Sequence, residues 1–235
     1  MKRILLLLLI RVLLPYTLLA QEPKLIKVKA GEDIKAAVPM ADKYRYLQFK
    51  EGVVHFFTGA TVPAKLNYSQ LLGEMHFISP SGDTLSLANE SLIKDVTIGE
   101  TQFYYDSKNG FLEVVADHQS IKLAVKQMFR VAGLEKLGGY QQSSGVSSIK
   151  NYSILATGNS SVKTLEAKGD VVLSKEKSYF FIDQNNRYYK VNKSNLLKIY
   201  VKHKKALETY IKEGGIDFDK EESLRKILAF CSQLP

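Results

Sequence analysis

Apolar and polar residues alternate in short runs through the first half of the chain. In "TVPAKLNY", Val62, Ala64, Leu66 and Tyr68 alternate with Thr61, Pro63, Lys65 and Asn67. A period of two puts the apolar residues on one face of a strand and the polar ones on the other. Pro63 has no backbone N–H to give, which suits a strand start or a sheet edge. Turn signals punctuate the runs: "FTGAT" after "VVHFF", "SPSGD" after "EMHFI" and "SKNG" after "QFYYD". Asn109-Gly110 predicts a two-residue hairpin turn, because both residues tolerate positive φ. No helix-length stretch separates these runs, so residues 44–137 are expected to form an antiparallel meander and not β-α-β units.

One segment fits two periods. In "SIKLAVKQMFRVAG", Ile121, Leu123, Val125, Phe129 and Val131 suit a strand, while Ile121, Ala124, Val125, Met128, Phe129 and Ala132 suit a helical stripe. Residues 120–132 are read as strand, since they follow a strand and a short polar turn. Residues 138–148, "GGYQQSSGVSS", have the composition of a flexible loop. A second β segment, 149–192, follows as "NYSILATG", "DVVLSK", "SYFFID" and "RYYKVN", with "DQNN" as a hairpin loop.

From residue 193 to 235 the period becomes helical. Leu197, Tyr200, Val201, Leu207, Tyr210 and Ile211 recur at helical spacing, with Ser194 as a candidate N-cap and Gly214-Gly215 as a stop. Asp219 and Glu222 have the spacing of a capping box before the stripe Leu224, Ile227, Leu228 and Cys231. Helices this short need a surface to pack on. The expected fold is mainly β with C-terminal α: an antiparallel meander, as an open barrel or sandwich, with two or three packed C-terminal helices.

The first 20 residues change where the protein is expected to work. "MKRILLLLLIRVLLPYTLLA" has a basic start, a leucine-rich run and Ala20 as a cleavage position, which reads as a signal peptide. Arg11 and Pro15 keep the run below the roughly 18 apolar residues of a spanning helix. Residues 21–43 then form an N-terminal arm of a secreted or periplasmic protein. The formal charge of +9 falls to +6 on cleavage, because Lys2, Arg3 and Arg11 leave and no acid does. The single cysteine, Cys231, excludes an internal disulfide and reads as a small buried hydrophobe.

No HExxH, GxSxG, SxxK, phosphate-loop, dinucleotide-binding or paired-cysteine pattern occurs. The reading therefore assigns no catalytic residue and no cofactor. His55, His76 and Glu74 would be a two-histidine, one-carboxylate metal set if neighbouring strands brought them together. His76 with Ser69, Ser79, Ser81 and Asp83 would make a hydrolase site if a cleft gathered them. The stretch from Arg187 to Lys205 interleaves Lys190, Lys193, Lys198, Lys202, Lys204 and Lys205 with Tyr188, Tyr189 and Tyr200. Such a run binds anions or forms a solvated helix face. Tyr200, Lys202, Lys204 and Lys205 are its candidate binding residues. Export makes an anionic glycan or lipid headgroup the expected partner and not nucleic acid. Asn67, Asn89, Asn151, Asn159 and Asn192 head N-x-S triplets, which matter only where such sites are glycosylated.

The stretch "FKEGVVHFFTGATVPAKLNYSQLLGEMHFISPSGDTLSLANESLIKDVTIGETQFYY" resembles a type of uncharacterised exported β-rich protein of Gram-negative bacteria. A glycine before a short strand, "LNY", "GEM-x-FI" and "GDTL" carry the resemblance. It implies an envelope or secreted protein and brings no site residues. The function expected from all this is non-catalytic binding, of an envelope component, an anionic glycan or an apolar ligand. The alternatives are a hydrolase with a scattered site near the His76–Asp83 hairpin and a surface binder of anionic glycan or lipid through the Lys190–Lys205 run.

Overall fold

A computed structural model describes residues 24–118, 120–137, 143–147 and 169–234. The expected signal segment, the start of the expected arm and the "NYSILATG" run lie outside the described residues.

The chain forms one open, mainly antiparallel sheet with helices at its C-terminal end. The strands are β1 (Leu25–Val28), β2 (Lys50–Phe56), β3 (Thr61–Ser69), β4 (Glu74–Ile78), β5 (Thr84–Ser86), β6 (Ile93–Ile98), β7 (Thr101–Asp106), β8 (Gly110–His118), β9 (Ile121–Leu137), β10 (Ser143–Ser147), β11 (Gly169–Asp183) and β12 (Tyr188–Lys190). Two short helices, α1 (Ile34–Ala37) and α2 (Met40–Lys43), lie in the arm; α3 (Lys193–Ile199), α4 (Lys204–Glu213) and α5 (Glu221–Cys231) close the chain. The strand order is β1-β11-β9-β8-β7-β6-β2-β3-β4-β5, with β10 on β9 and β12 on β11.

Residues 120–132 are strand, as expected, except for Ser120, which belongs to the preceding turn. Residues 121–132 lie inside β9, whose first five residues pair with β8 and which pairs with β11 from Ile121 to Lys136, with one irregularity at Ala132. Three expectations are corrected. "DVVLSK" and "SYFFID" are one strand, β11, because every residue of the polar link Lys175–Ser178 has a partner on β9. Part of the 138–148 stretch is strand β10. The β7–β8 turn leaves three residues between the Asp106–Gly110 pair, and only Gly110 takes positive φ, at 73°. With Asn109 N donating to Asp106 O, this is a turn followed by a glycine bulge.

The sheet curls until the β3–β4 turn meets β9, where Phe129 N donates to Gln70 O. The enclosed core is Val54, Leu66, Tyr68, Met75, Val96, Ile98, Phe103 and Phe111. Residues 44–48 lie as a strap against β3: Tyr44 bridges Ser69, and Arg45 N donates to Tyr68 O. The strap explains why Asn67 is only 1% exposed although its position reads as wet. Its side chain accepts from Tyr46 N and donates to Tyr46 O and Gln48 O. The triplet at Asn67 is therefore closed to modification in the folded chain. Gly52 serves the same tight assembly, since a Cβ there would sit 2.5 Å from the Thr97 carbonyl oxygen.

A second core fills the space between sheet and helices. Ile121, Leu123 and Phe181 from the sheet meet Leu196, Leu207, Leu224, Ile227, Leu228 and Cys231 from the helices. Tyr210 and Phe230 stack at 4.1 Å between α4 and α5. The helix stripe was legible but its boundaries shift. Asn192 caps α3, accepting from Asn195 N, where Ser194 was expected. Lys220 precedes α5 with no side-chain cap where Asp219 was expected. The helix also breaks at Tyr200 (φ −107°, ψ 54°), which ends α3 and starts a 3₁₀ turn, Val201–His203. No helix among the described residues is long and apolar enough to cross a membrane.

Candidate functional site

The break at Tyr200 builds a cleft. The β8–β9 connection, the β11–β12 turn, the 3₁₀ turn and the end of α5 surround a volume of about 840 Å³. Tyr200, Lys202 and His203 line one side; Asp117, His118 and Ser120 line another. Tyr200 Oη lies 2.9 Å from Ser120 Oγ, which ties the helical segment to the sheet. A smaller hollow of about 330 Å³ adjoins it, sharing Ser120, Ile199 and Tyr200 and adding Arg187 and Lys198.

The electrostatics of this groove are one-sided. Asp117 is engaged by Lys122. Asp183 accepts from Asn185 N and Arg187 N, both at 2.9 Å, and from Tyr189 Oη at 3.2 Å. Its acids are thus already satisfied. Arg187, Lys198 and Lys202 make no ion pair among the described residues. Asp183 keeps its negative charge, so the groove carries three cations, Arg187, Lys198 and Lys202, against one carboxylate without a basic partner, beside a tyrosine ring.

The structure brings Tyr200 and Lys202 of the expected binding set together. Lys204 and Lys205 are exposed on the first turn of α4 and do not line the cleft. His118 and His203 were not expected there. The one signal for them was their type, because the β8–β9 turn and the 3₁₀ turn meet only in the folded chain.

Cys231 borders the cleft yet is 2% exposed, and burial pushes its thiol up to about 12. Only the thiolate attacks disulfides and alkylating reagents. The native protein is expected to react with a disulfide reagent at pH 8 on the order of 10³-fold more slowly than a free thiol. Full reactivity should return in denaturant, and an absorbance time course reads both.

The other candidate constellations take different shapes. His76 has both nitrogens occupied, Nδ1 3.0 Å from Tyr44 Oη and Nε2 3.3 Å from Glu74 Oε2. The nearby hydroxyl of Ser86 donates to Glu74 at 2.7 Å. A serine-hydrolase triad needs the serine hydroxyl on the imidazole, whereas here the imidazole meets a tyrosine hydroxyl and the serine sits on the acid. Ser79, Ser81 and Asp83 bond one another within the β4–β5 turn. Ser69 Oγ accepts from Leu72 N. The hairpin's polar residues therefore hold the turn.

His55 lies far from His76. It pairs with Thr61 of β3, whereas His76 pairs with Asn67, six residues further along the same strand. That is about 20 Å of strand. His55 Nδ1 instead meets Asp95 Oδ1 at 2.8 Å. Among the described residues no group of three or more histidine, cysteine or acidic side chains could hold a metal ion.

No family model, curated protein or solved structure matches this chain.

Proposed function

We propose that this is an exported, envelope-associated binding protein whose cleft beside Tyr200 takes an anionic glycan without altering it. The supporting observation is the excess of positive charge along one groove, where Arg187, Lys198 and Lys202 stand against Asp183 while Asp117 is paired with Lys122. Tyr200 supplies an apolar ring face for a sugar, and it is held in place by Ser120. Export, read from the N-terminal segment, makes a polysaccharide a suitable partner. An apolar ligand between sheet and helices is less suited, because Leu123, Phe181, Leu196, Leu207, Leu224, Ile227 and Leu228 fill that space at 0% exposure.

The test is calorimetric titration of a uronic-acid oligosaccharide at low salt. Lys198→Ala with Lys202→Ala is expected to weaken binding roughly tenfold, since rim charges act through screened Coulomb attraction. Lys204→Ala with Lys205→Ala should change it by less than about twofold, because neither residue lines the cleft. Equal losses from both pairs would point to a diffuse basic surface and overturn the cleft reading.

A further inference from the structure

A second site lies across strands β3, β2 and β6. The registers place Thr61, His55 and Asp95 in one cross-strand row, because Thr61 and Asp95 are both direct partners of His55. Direct partners share a face, with Cβ atoms about 5 Å apart. The row therefore reads hydroxyl, imidazole, carboxylate. Asp95 is almost buried, with 8% of its side chain exposed, while His55 is 34% exposed. The carboxylate accepts from Nδ1 at 2.8 Å, which puts the proton on Nδ1. Nε2 has no hydrogen-bond partner among the described residues and is left as an acceptor.

The backbone is shaped around this pair. The β2–β6 ladder runs His55–Asp95 and then Phe56–Ile93, so Lys94 is the extra residue of a bulge. A bulge re-aims side chains and recurs beside active sites. Here it sets Lys94, which makes no ion pair among the described residues, on the rim of the same hollow. That hollow measures about 310 Å³ and is lined by His55, Phe56, Thr61, Lys94, Asp95 and Thr97. It is a small volume, suited to a short acyl group.

We infer that His55 acts here as a general base for hydrolysis of small acyl esters, with Asp95 as its positioning residue. His55 Nε2 takes a proton from a water molecule, and the water oxygen adds to the acyl carbon. The ester C–O bond then breaks, and the leaving alkoxide takes the proton from Nε2. The products are a carboxylic acid and an alcohol. Lys94, on the rim of the hollow, supplies the positive charge for the developing oxyanion, the place where such a charge contributes most. This site is independent of the basic cleft, so either proposal can fail alone.

The experiment is p-nitrophenyl acetate turnover by the full chain. The wild-type protein is expected to turn over repeatedly, at least tenfold faster than His55→Gln. Asp95→Asn is expected to lower kcat by tenfold or more. It should also move the His55 tautomer from Nδ1–H toward Nε2–H, read from ¹⁵N imidazole shifts. Asp95→Glu should recover part of the rate. Circular dichroism and melting curves confirm that each variant is folded. Equal rates in wild type and His55→Gln would overturn the assignment. So would one equivalent of nitrophenol without further turnover, which marks a stably acylated side chain. An unchanged tautomer in Asp95→Asn would remove Asp95 from its role.

Discussion

Phe181→Ala is expected to lower the unfolding free energy by about 3–5 kcal/mol, the range for emptying a phenylalanine site in a packed core. Phe181 is fully buried on β11, opposite Leu123 of β9 and Tyr189 of β12, and it belongs to the core shared with the C-terminal helices. Its neighbours on β11, Phe180 and Ile182, point to the other face and pack with Leu112 and Ala124. The strand is thus pinned from both sides and cannot shift to close the void. For a chain of this size the change corresponds to a fall in Tm on the order of 10 °C. Urea unfolding followed by circular dichroism measures it. Phe181→Leu, which keeps most of the volume, should cost no more than about 1.5 kcal/mol. A loss below about 1 kcal/mol for Phe181→Ala would mean that the helices do not rest on this residue.

The same core shows why part of the fold can be read from the chain. The stripe Leu224, Ile227, Leu228 and Cys231 is a local pattern, and all four residues are buried in α5. β3 and the β7–β8 hairpin are local in the same sense. β11 is not. Its Lys175–Ser178 stretch is polar and reads as a break, but pairing with β9 carries the strand through. Local periodicity cannot see a partner supplied from forty or fifty residues away. The break at Tyr200 is hidden for a similar reason: its neighbours continue a helical period, and the bond that accompanies the break comes from Ser120. Candidate chemistry follows the same division. The His76–Asp83 stretch attracts notice because its polar residues are close in sequence; Ser79, Ser81 and Asp83 turn out to bond one another, and His76 bonds Tyr44 and Glu74. His55 and Asp95 attract none as a pair, since forty residues separate them and only the β2–β6 register joins them. The basic cleft lies between: Tyr200 and Lys202 are in one legible run, while Asp117, His118 and Ser120 arrive from the sheet.

Arg45→Ala should cost about 2–4 kcal/mol, and most of that loss should come from the residue left behind. Arg45 Nε and Nη2 donate to the two oxygens of Glu113 at 2.8 and 2.9 Å. Glu113 sits on β8 with 8% of its side chain exposed, between Phe103 and Val125 in the ladder. Arg45 is 35% exposed, so water already screens its side of the pair. Removing the arginine strands a carboxylate in an apolar layer, and breaking a buried pair this way costs more than the pair contributes. The paired change Arg45→Met with Glu113→Leu removes both charges and should restore more than half of the loss. The ion pair also fastens the 44–48 strap to β8, so amide exchange at Arg45, whose N–H bonds Tyr68 O, and at Gln70, whose N–H bonds Lys43 O just before the strap, should quicken in Arg45→Ala. If the double variant were no more stable than Arg45→Ala, the cost would lie in the strap's lost anchorage and not in the unpaired Glu113. A cycle of Arg45→Met, Glu113→Leu and their combination, measured by urea denaturation, separates the two, because the unpaired Glu113 charge is present in Arg45→Met and absent from the double.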